Sequence, residues 1–169
     1  MNREPTAGLF RTAEGGKLLL TRTFRASMED VWDCITEPER TARWYGPWEG
    51  DARPGQTIKV QLIFEEGAPW ADLLIERCEP PRRLDLAMVD ETATWRLQLS
   101  LSESDGTTEL RFVQHLDTEE GLAEIGPGWE WYLDKLAAAF HGAPQPAFEE
   151  YYPAMKPYFE QLTPQTGEA

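Results

Sequence analysis

Residues 128–140 form the longest uninterrupted helix-forming stretch of the chain, and such a helix needs a partner to lie on. Leu133, Leu136, Ala137 and Phe140 recur at three- and four-residue steps, and Trp129 and Tyr132 extend that apolar stripe toward its start. Glu130, Asp134 and Lys135 fall mostly on the other side. Gly126-Pro127-Gly128 precedes the stretch and His141-Gly142-Ala143-Pro144 follows it, so both ends carry stop signals. A helix with aromatics on its apolar side either seals a solid core or roofs a cavity.

The partner is a sheet. Trp95, Leu97, Leu99 and Leu101 alternate strictly with Arg96, Gln98 and Ser100, Asp105-Gly106 turns the chain, and Leu110, Phe112, Gln114 and Leu116 answer on one side. Ile58, Val60, Leu62 and Phe64 alternate in the same way. Residues 17–25, 70–78 and 83–89 read as further strands with less regular alternation. Strands in series joined by short turns predict an antiparallel meander with one wet face. Between the first strand and the rest, Ser27-Met28-Glu29-Asp30 resembles a capping box ahead of Val31, Trp32 and Ile35. Pro38 then opens a second short helix that carries Ala42 and Trp44 and ends at Gly46-Pro47. Residues 1–16 read as a loose N-terminal arm, 17–142 as the domain, and 143–169 as a proline- and aromatic-rich extension packed on that domain. Its Phe148, Tyr151, Tyr152, Met155, Tyr158 and Phe159 are too apolar for a disordered tail, although 164–169 reads as loose.

Length and charge narrow the function. The 169 residues suit one domain, large enough to fold without metal or disulfide. Thirty acidic against sixteen basic residues, a net charge of -14, argue against nucleic acid or anionic lipid as partner. No apolar run approaches the length of a membrane span, and residues 1–10 lack the regions of a signal peptide, so a cytoplasmic protein is expected. Cys34 and Cys78 lie outside any CxxC spacing and read as small buried thiols in a reducing compartment. With His115 and His141 the only histidines, no metal motif forms. No nucleophile elbow, phosphate loop or HExxH is present, so no cofactor is expected.

Several stretches resemble one family. Ala42-Arg43-Trp44-Tyr45-Gly46-Pro47 is similar to its "ARW[FY]GP" corner. Arg53-Pro54-Gly55-Gln56 resembles its "RPGG" turn, with Gln56 replacing the second glycine. Pro80-Pro81-Arg82-Arg83-Leu84 resembles its "PPRRL" joint, and residues 128–136 its "GWxxYLDRL" last helix. With the opening Thr23-Phe24-Arg25-Ala26-Ser27, these identify a resemblance, over about 18–141, to the SRPBCC superfamily (START and birch-pollen-allergen-like fold). The branch is the one named for homologues of the activator of the 90-kDa heat-shock chaperone ATPase, and its members include many bacterial proteins of unassigned activity. The resemblance implies an α+β helix-grip fold. A curved antiparallel sheet of about six to seven strands wraps around the long C-terminal helix, with two short helices after the first strand and a cavity between. No shared catalytic residue carries over. Relatives place a histidine near the end of the last strand, where Gln114 stands here and His115 points the other way by strand parity.

The cavity candidates are Trp44, Trp70, Trp95, Leu97, Phe112, Gln114, Trp129, Tyr132, Leu133 and Leu136, because aromatic walls with a few polar groups bury flat or aliphatic ligands. Trp48 is a further candidate. Asp72 and Glu76 are four apart on one strand and would act as acid or base if they faced a hydrophobic roof; with Leu73 and Ile75 inward they face water instead. Glu65-Glu66 reads as solvated. Trp131 either packs under the tail or lies exposed. Three functions remain open at this point. The first is non-enzymatic binding of a small hydrophobic molecule, lipid-like or aromatic. The second is activation of a heat-shock chaperone ATPase through a chaperone partner. The third is a cyclase- or hydrolase-like enzyme using a cavity carboxylate. An exposed aromatic tail would favour a homodimer.

Overall fold

The computed structural model describes residues 3–13, 15–89 and 94–166. The chain runs β1 (Gly8–Thr12), β2 (Gly15–Phe24), α1 (Met28–Thr36), α2 (Pro38–Thr41), β3 (Trp48–Glu49), β4 (Thr57–Gln61), β5 (Trp70–Glu79) and β6 (Arg83–Val89). It continues through β7 (Thr94–Ser104), β8 (Thr107–Leu116), α3 (Leu122–His141), α4 (Lys156–Gln161) and β9 (Gln165–Thr166). A single 3-10 turn at Phe148–Glu150 lies between α3 and α4. The strands form one open, curved sheet in the order β3-β4-β5-β6-β7-β8-β2-β1-β9. Every pair is antiparallel except β1 with β9. This is the α+β helix-grip architecture, with nine strands among the described residues where six to seven were expected.

Register explains the inner face. Leu97 faces Gln114, Leu99 faces Phe112 and Leu101 faces Leu110 across β7 and β8, while Leu18 and Leu20 of β2 meet Gln114 and Phe112 from the other side. These pairs stack into apolar rows under α3. Leu18, Leu20, Leu110, Leu133 and Leu136 are all fully buried, and each such burial contributes roughly 1.5–3 kcal/mol. Arg22 lies in the same rows, opposite Leu110, which is why the alternation of β2 looked imperfect. It reaches α3 with Nε on Asp134 Oδ1 at 2.9 Å and Nη2 on Glu130 Oε1 at 3.0 Å.

Two expectations fail at the chain ends. Part of the arm at 1–16 is strand β1, paired with β2 and with Ala7 and Leu9 buried; residues 1, 2 and 14 lie outside the described residues. Of 164–169, expected to be loose, Gln165 and Thr166 pair with Phe10 and Arg11; 167–169 lie outside the described residues. The outer side of α3 is therefore covered as well. Glu130, 1% exposed, accepts hydrogen bonds from the backbone N–H groups of Thr6 and Ala7, from the Thr6 hydroxyl and from Arg22. Tyr151 donates to Asp134 Oδ2 (2.7 Å), and Tyr158 donates to the carbonyl of Ala7 (2.6 Å). Trp131 packs under the extension, edge-to-face with Phe148 at 5.1 Å and donating to the Pro146 carbonyl.

The helix is also longer than its stop signals suggested. α3 begins at Leu122, so Gly126-Pro127-Gly128 lies inside it. Pro127 sits in the second turn and removes one backbone donor. Gly126 has a packing reason: a Cβ there would stand 2.2 Å from the Phe159 ring of α4. At the far end Gly142 (φ 66°) closes the helix, with the Ala143 N–H on the Ala138 carbonyl.

Candidate functional site

Between α3 and the inner face of the sheet lies an apolar cavity of about 150 Å³. β4, β5 and β6 supply Ile58, Val60, Leu73, Ile75 and Leu84, and β7 and β8 supply Leu97, Leu99 and Phe112. The helix supplies Trp129 and Leu133, and α1 with the following corner supplies Trp32, Trp44, Tyr45 and Trp48.

The corner is fixed by hydrogen bonds to the end of α1. The last carbonyls of a helix have no partner within it. Here Trp44 Nε1 donates to the Cys34 carbonyl (3.0 Å) and Trp48 Nε1 to the Thr36 carbonyl (2.8 Å). Both indoles are thereby held with their rings against the cavity. Thr41 donates its hydroxyl to the Gly46 carbonyl at 2.7 Å. Gly46 is required by close approach: a Cβ there would fall 1.9 Å from the Gln61 carbonyl oxygen.

Strand parity decides which side chains of β5 enter. Leu73 and Ile75 point inward and Asp72 and Glu76 are exposed, so neither carboxylate reaches the cavity. Between Ile75 and Arg77 the register slips: Ile75 faces Leu86 and Arg77 faces Asp85, leaving Glu76 as the extra residue. This bulge reverses parity beyond it and turns Cys78 inward beside Leu84. Burial pushes the Cys78 thiol above its ordinary value.

A second chamber of about 330 Å³ lies outside the first. It is lined by Leu62, Glu65, Met88, Trp95, Glu124, Ile125, Gly128 and Tyr132, and it shares Tyr45, Leu97 and Trp129 with the inner cavity. Those three side chains are the wall between the chambers. Tyr45 stacks on Trp129 with centroids 6.5 Å apart and meets Tyr132 edge-on at 5.2 Å. Trp129 is pinned by Gln114, whose Oε1 accepts the indole N–H at 2.7 Å. Tyr132 donates its hydroxyl to Glu65 Oε2 at 2.7 Å. Burial first, then the Glu65 carboxylate, hold Tyr132 and Tyr45 well above the ordinary tyrosine range.

Of the residues singled out in the sequence, Trp44, Leu97, Phe112, Trp129 and Leu133 line the inner cavity, and Trp95 and Tyr132 line the outer chamber. Three fall elsewhere. Trp70 opens β5 on its outward side and is 53% exposed. Leu136 is buried one helical turn beyond the cavity. Gln114 is buried, but its amide is engaged by Trp129 rather than turned to either chamber. Tyr45 and Glu65 were missed. Tyr45 stands beside Trp44 in the corner motif, outside any periodic stretch that would show which way it faces. Glu65 sits in a turn, and no periodicity reports on which way a turn residue faces. Among the described residues no cluster of His, Cys, Asp and Glu is arranged to hold a metal ion, and no helix is long and apolar enough to cross a membrane.

Comparison with known proteins agrees with this architecture. Residues 25–141 match the family model described as activator of Hsp90 ATPase homolog 1-like protein. The crystal structure of CalU16 from Micromonospora echinospora is 30% identical, with a TM-score of 0.74 over 94% of this chain and 96% of that one. A protein encoded by BPP1335 from Bordetella parapertussis shares the fold, at 24% identity, a TM-score of 0.74 and coverage of 88% and 87%. DynU16, from the dynemicin biosynthetic locus, also shares the fold, at 20% identity, a TM-score of 0.68 and coverage of 78% of this chain and 50% of that one. No curated protein matches. With the helix-grip fold, the corner at Trp44 and Tyr45 and the family match over 25–141, the chain belongs to the activator of Hsp90 ATPase homolog 1-like family of the SRPBCC superfamily.

Proposed function

We propose that the protein binds a small hydrophobic molecule between the sheet and α3, without acting on it chemically. The observation that carries this reading is the inner cavity: about 150 Å³, walled by aliphatic and aromatic side chains on every element that reaches it. Apolar cavities of this size stay dry and take up molecules on the scale of benzene. The lining also supports binding over catalysis. Cys78 and Tyr45 are its titratable groups, and burial keeps both protonated near neutral pH. The carboxylates first considered for acid or base work, Asp72 and Glu76, face solvent. The free thiols of Cys34 and Cys78 support a reducing compartment such as the cytoplasm.

The test is a titration of the purified protein with a panel of lipids and aromatic metabolites, read by thermal shift and tryptophan fluorescence. Trp32, Trp44, Trp48 and Trp129 border the cavity, so a bound ligand should change their emission. The reading predicts saturable binding by at least one compact apolar class. Uniform failure across the panel would sink it. A second reading, stimulation of a chaperone ATPase, is favoured by the family match alone. Assaying the organism's own 90-kDa chaperone with excess protein separates the two, since a pure ligand binder leaves ATP turnover unchanged.

A further inference from the structure

The two chambers in series say what kind of small molecule fits, given that the cavity binds one at all. The inner chamber has little to offer a polar group. Thr36, Thr41, Trp44 and Trp48 line it, yet each directs its donor at a backbone carbonyl: those of Trp32, Gly46, Cys34 and Thr36 respectively. A charge placed there would lose water and meet no counter-charge, since no Asp, Glu, Lys, Arg or His is among the lining residues. The outer chamber is different. Glu65 and Glu124 line it, Tyr132 presents its hydroxyl to Glu65, and no lysine, arginine or histidine is among its lining residues. The buried ammonium of Lys135 lies over the rings of Phe64 (3.1 Å) and Trp131 (4.8 Å) and does not line the chamber. Glu124 is shared with Lys156 at 3.7 Å, so Glu65 carries most of the uncompensated charge. The buried acid of α3, Glu130, is taken up by Thr6, Ala7 and Arg22.

We infer that the ligand is an amphiphile with a compact apolar group for the inner cavity and a hydrogen-bond-donating end, ammonium or hydroxyl, held beside Glu65 in the outer chamber. Carboxylate-ended molecules such as fatty acids are disfavoured, because they would meet Glu65 and Glu124 with no cation among the lining residues. The wall of Tyr45, Leu97 and Trp129 is where the apolar part passes inward.

The test is isothermal titration with phenylbutylamine, phenylbutanol and phenylbutyrate, which share the phenyl ring and chain and differ at the end. Wild type should bind the amine most tightly and the carboxylate least, with a ratio on the order of tenfold at low salt. In molar salt that ratio should collapse, because the Debye length shrinks to about 3 Å and Glu65 is exposed. Glu65→Gln keeps an acceptor for Tyr132 and should cut the amine-to-carboxylate ratio at least about threefold. Glu65→Lys should invert it. Phenylbutyrate binding as tightly as the amine, or a ratio unchanged in both variants, would overturn the inference while leaving the cavity reading intact. Failure of all three probes to bind would overturn the cavity reading and this inference with it.

Discussion

Leu133→Ala is expected to cost stability and, in return, to widen the range of ligands. Leu133 is fully buried and forms part of the cavity roof on α3. Truncating a buried leucine costs about 2.7–5.0 kcal/mol, rising with the space left behind. The cavity already exists in the wild type, so only the added space counts, and a value in the lower half of that range applies, about 3.5 kcal/mol. For a chain of this length, that corresponds to a fall in Tm of roughly 7–14 °C. The enlarged space should then admit a two-ring probe such as indole. At a concentration one hundred times its Kd, the probe would restore about 2.7 kcal/mol. Leu136→Ala is the control. Leu136 is equally buried but lies outside the cavity lining, so a similar loss should come with no gain in indole affinity. Urea unfolding with and without indole measures both effects. A cost for Leu133→Ala below about 1 kcal/mol, or the same indole response in both variants, would refute the placement of the cavity against α3.

Four further substitutions have definite expected outcomes. Gln114→Leu removes the acceptor of the Trp129 indole N–H and leaves a buried donor unpaired, so it should cost about 1–3 kcal/mol in chemical denaturation; a neutral result would mean that Trp129 is held by packing alone. Gly46→Ala forces a methyl group against the Gln61 carbonyl and should lower Tm by several degrees, whereas Trp70→Ser on the exposed side should stay within about 0.5 kcal/mol of wild type. Lys135, 2% exposed, is lowered by burial to about 8, so the native state resists its protonation. Between pH 8 and the ordinary lysine value the unfolded chain binds more protons, and this residue's contribution to stability rises with pH; below pH 8 its cost is fully present. Lys135→Met should therefore show its largest advantage near pH 7, shrinking by up to about 3 kcal/mol toward pH 10. Taking the difference between the two profiles cancels the opposite trend from Cys34, Cys78 and the tyrosines, whose raised values favour the protonated native state. A difference that stays constant with pH would contradict the burial of the ammonium.

The sheet was legible because each strand of the central hairpin carries its own alternation. Once Asp105-Gly106 sets the turn, the rows Leu97 with Gln114 and Leu99 with Phe112 follow from parity. The stripe on α3 was legible for the same reason, although Gly126-Pro127-Gly128 concealed its first turns: Gly126 is needed for contact with Phe159, and the helix tolerates Pro127. The site was less readable. A bulge at Glu76 turns Cys78 inward, and one extra residue in a strand leaves no periodic trace. Gln114 looked like a polar group for a ligand, but an inward amide next to an indole finds its partner in the fold. Glu130 and Lys135 read only as the side of the helix away from the apolar stripe, because nothing local announces that the two chain ends return to cover it.

A binding cavity under α3 and a packing flaw there differ in one observable, occupancy by an apolar probe. A crystal structure determined after soaking with butylbenzene tests it most directly. A binding cavity should show density for the ring between Leu99, Phe112, Ile75 and Leu133, with Trp129 still bonded to Gln114. An empty cavity at saturating probe, or density only at the surface, would contradict it.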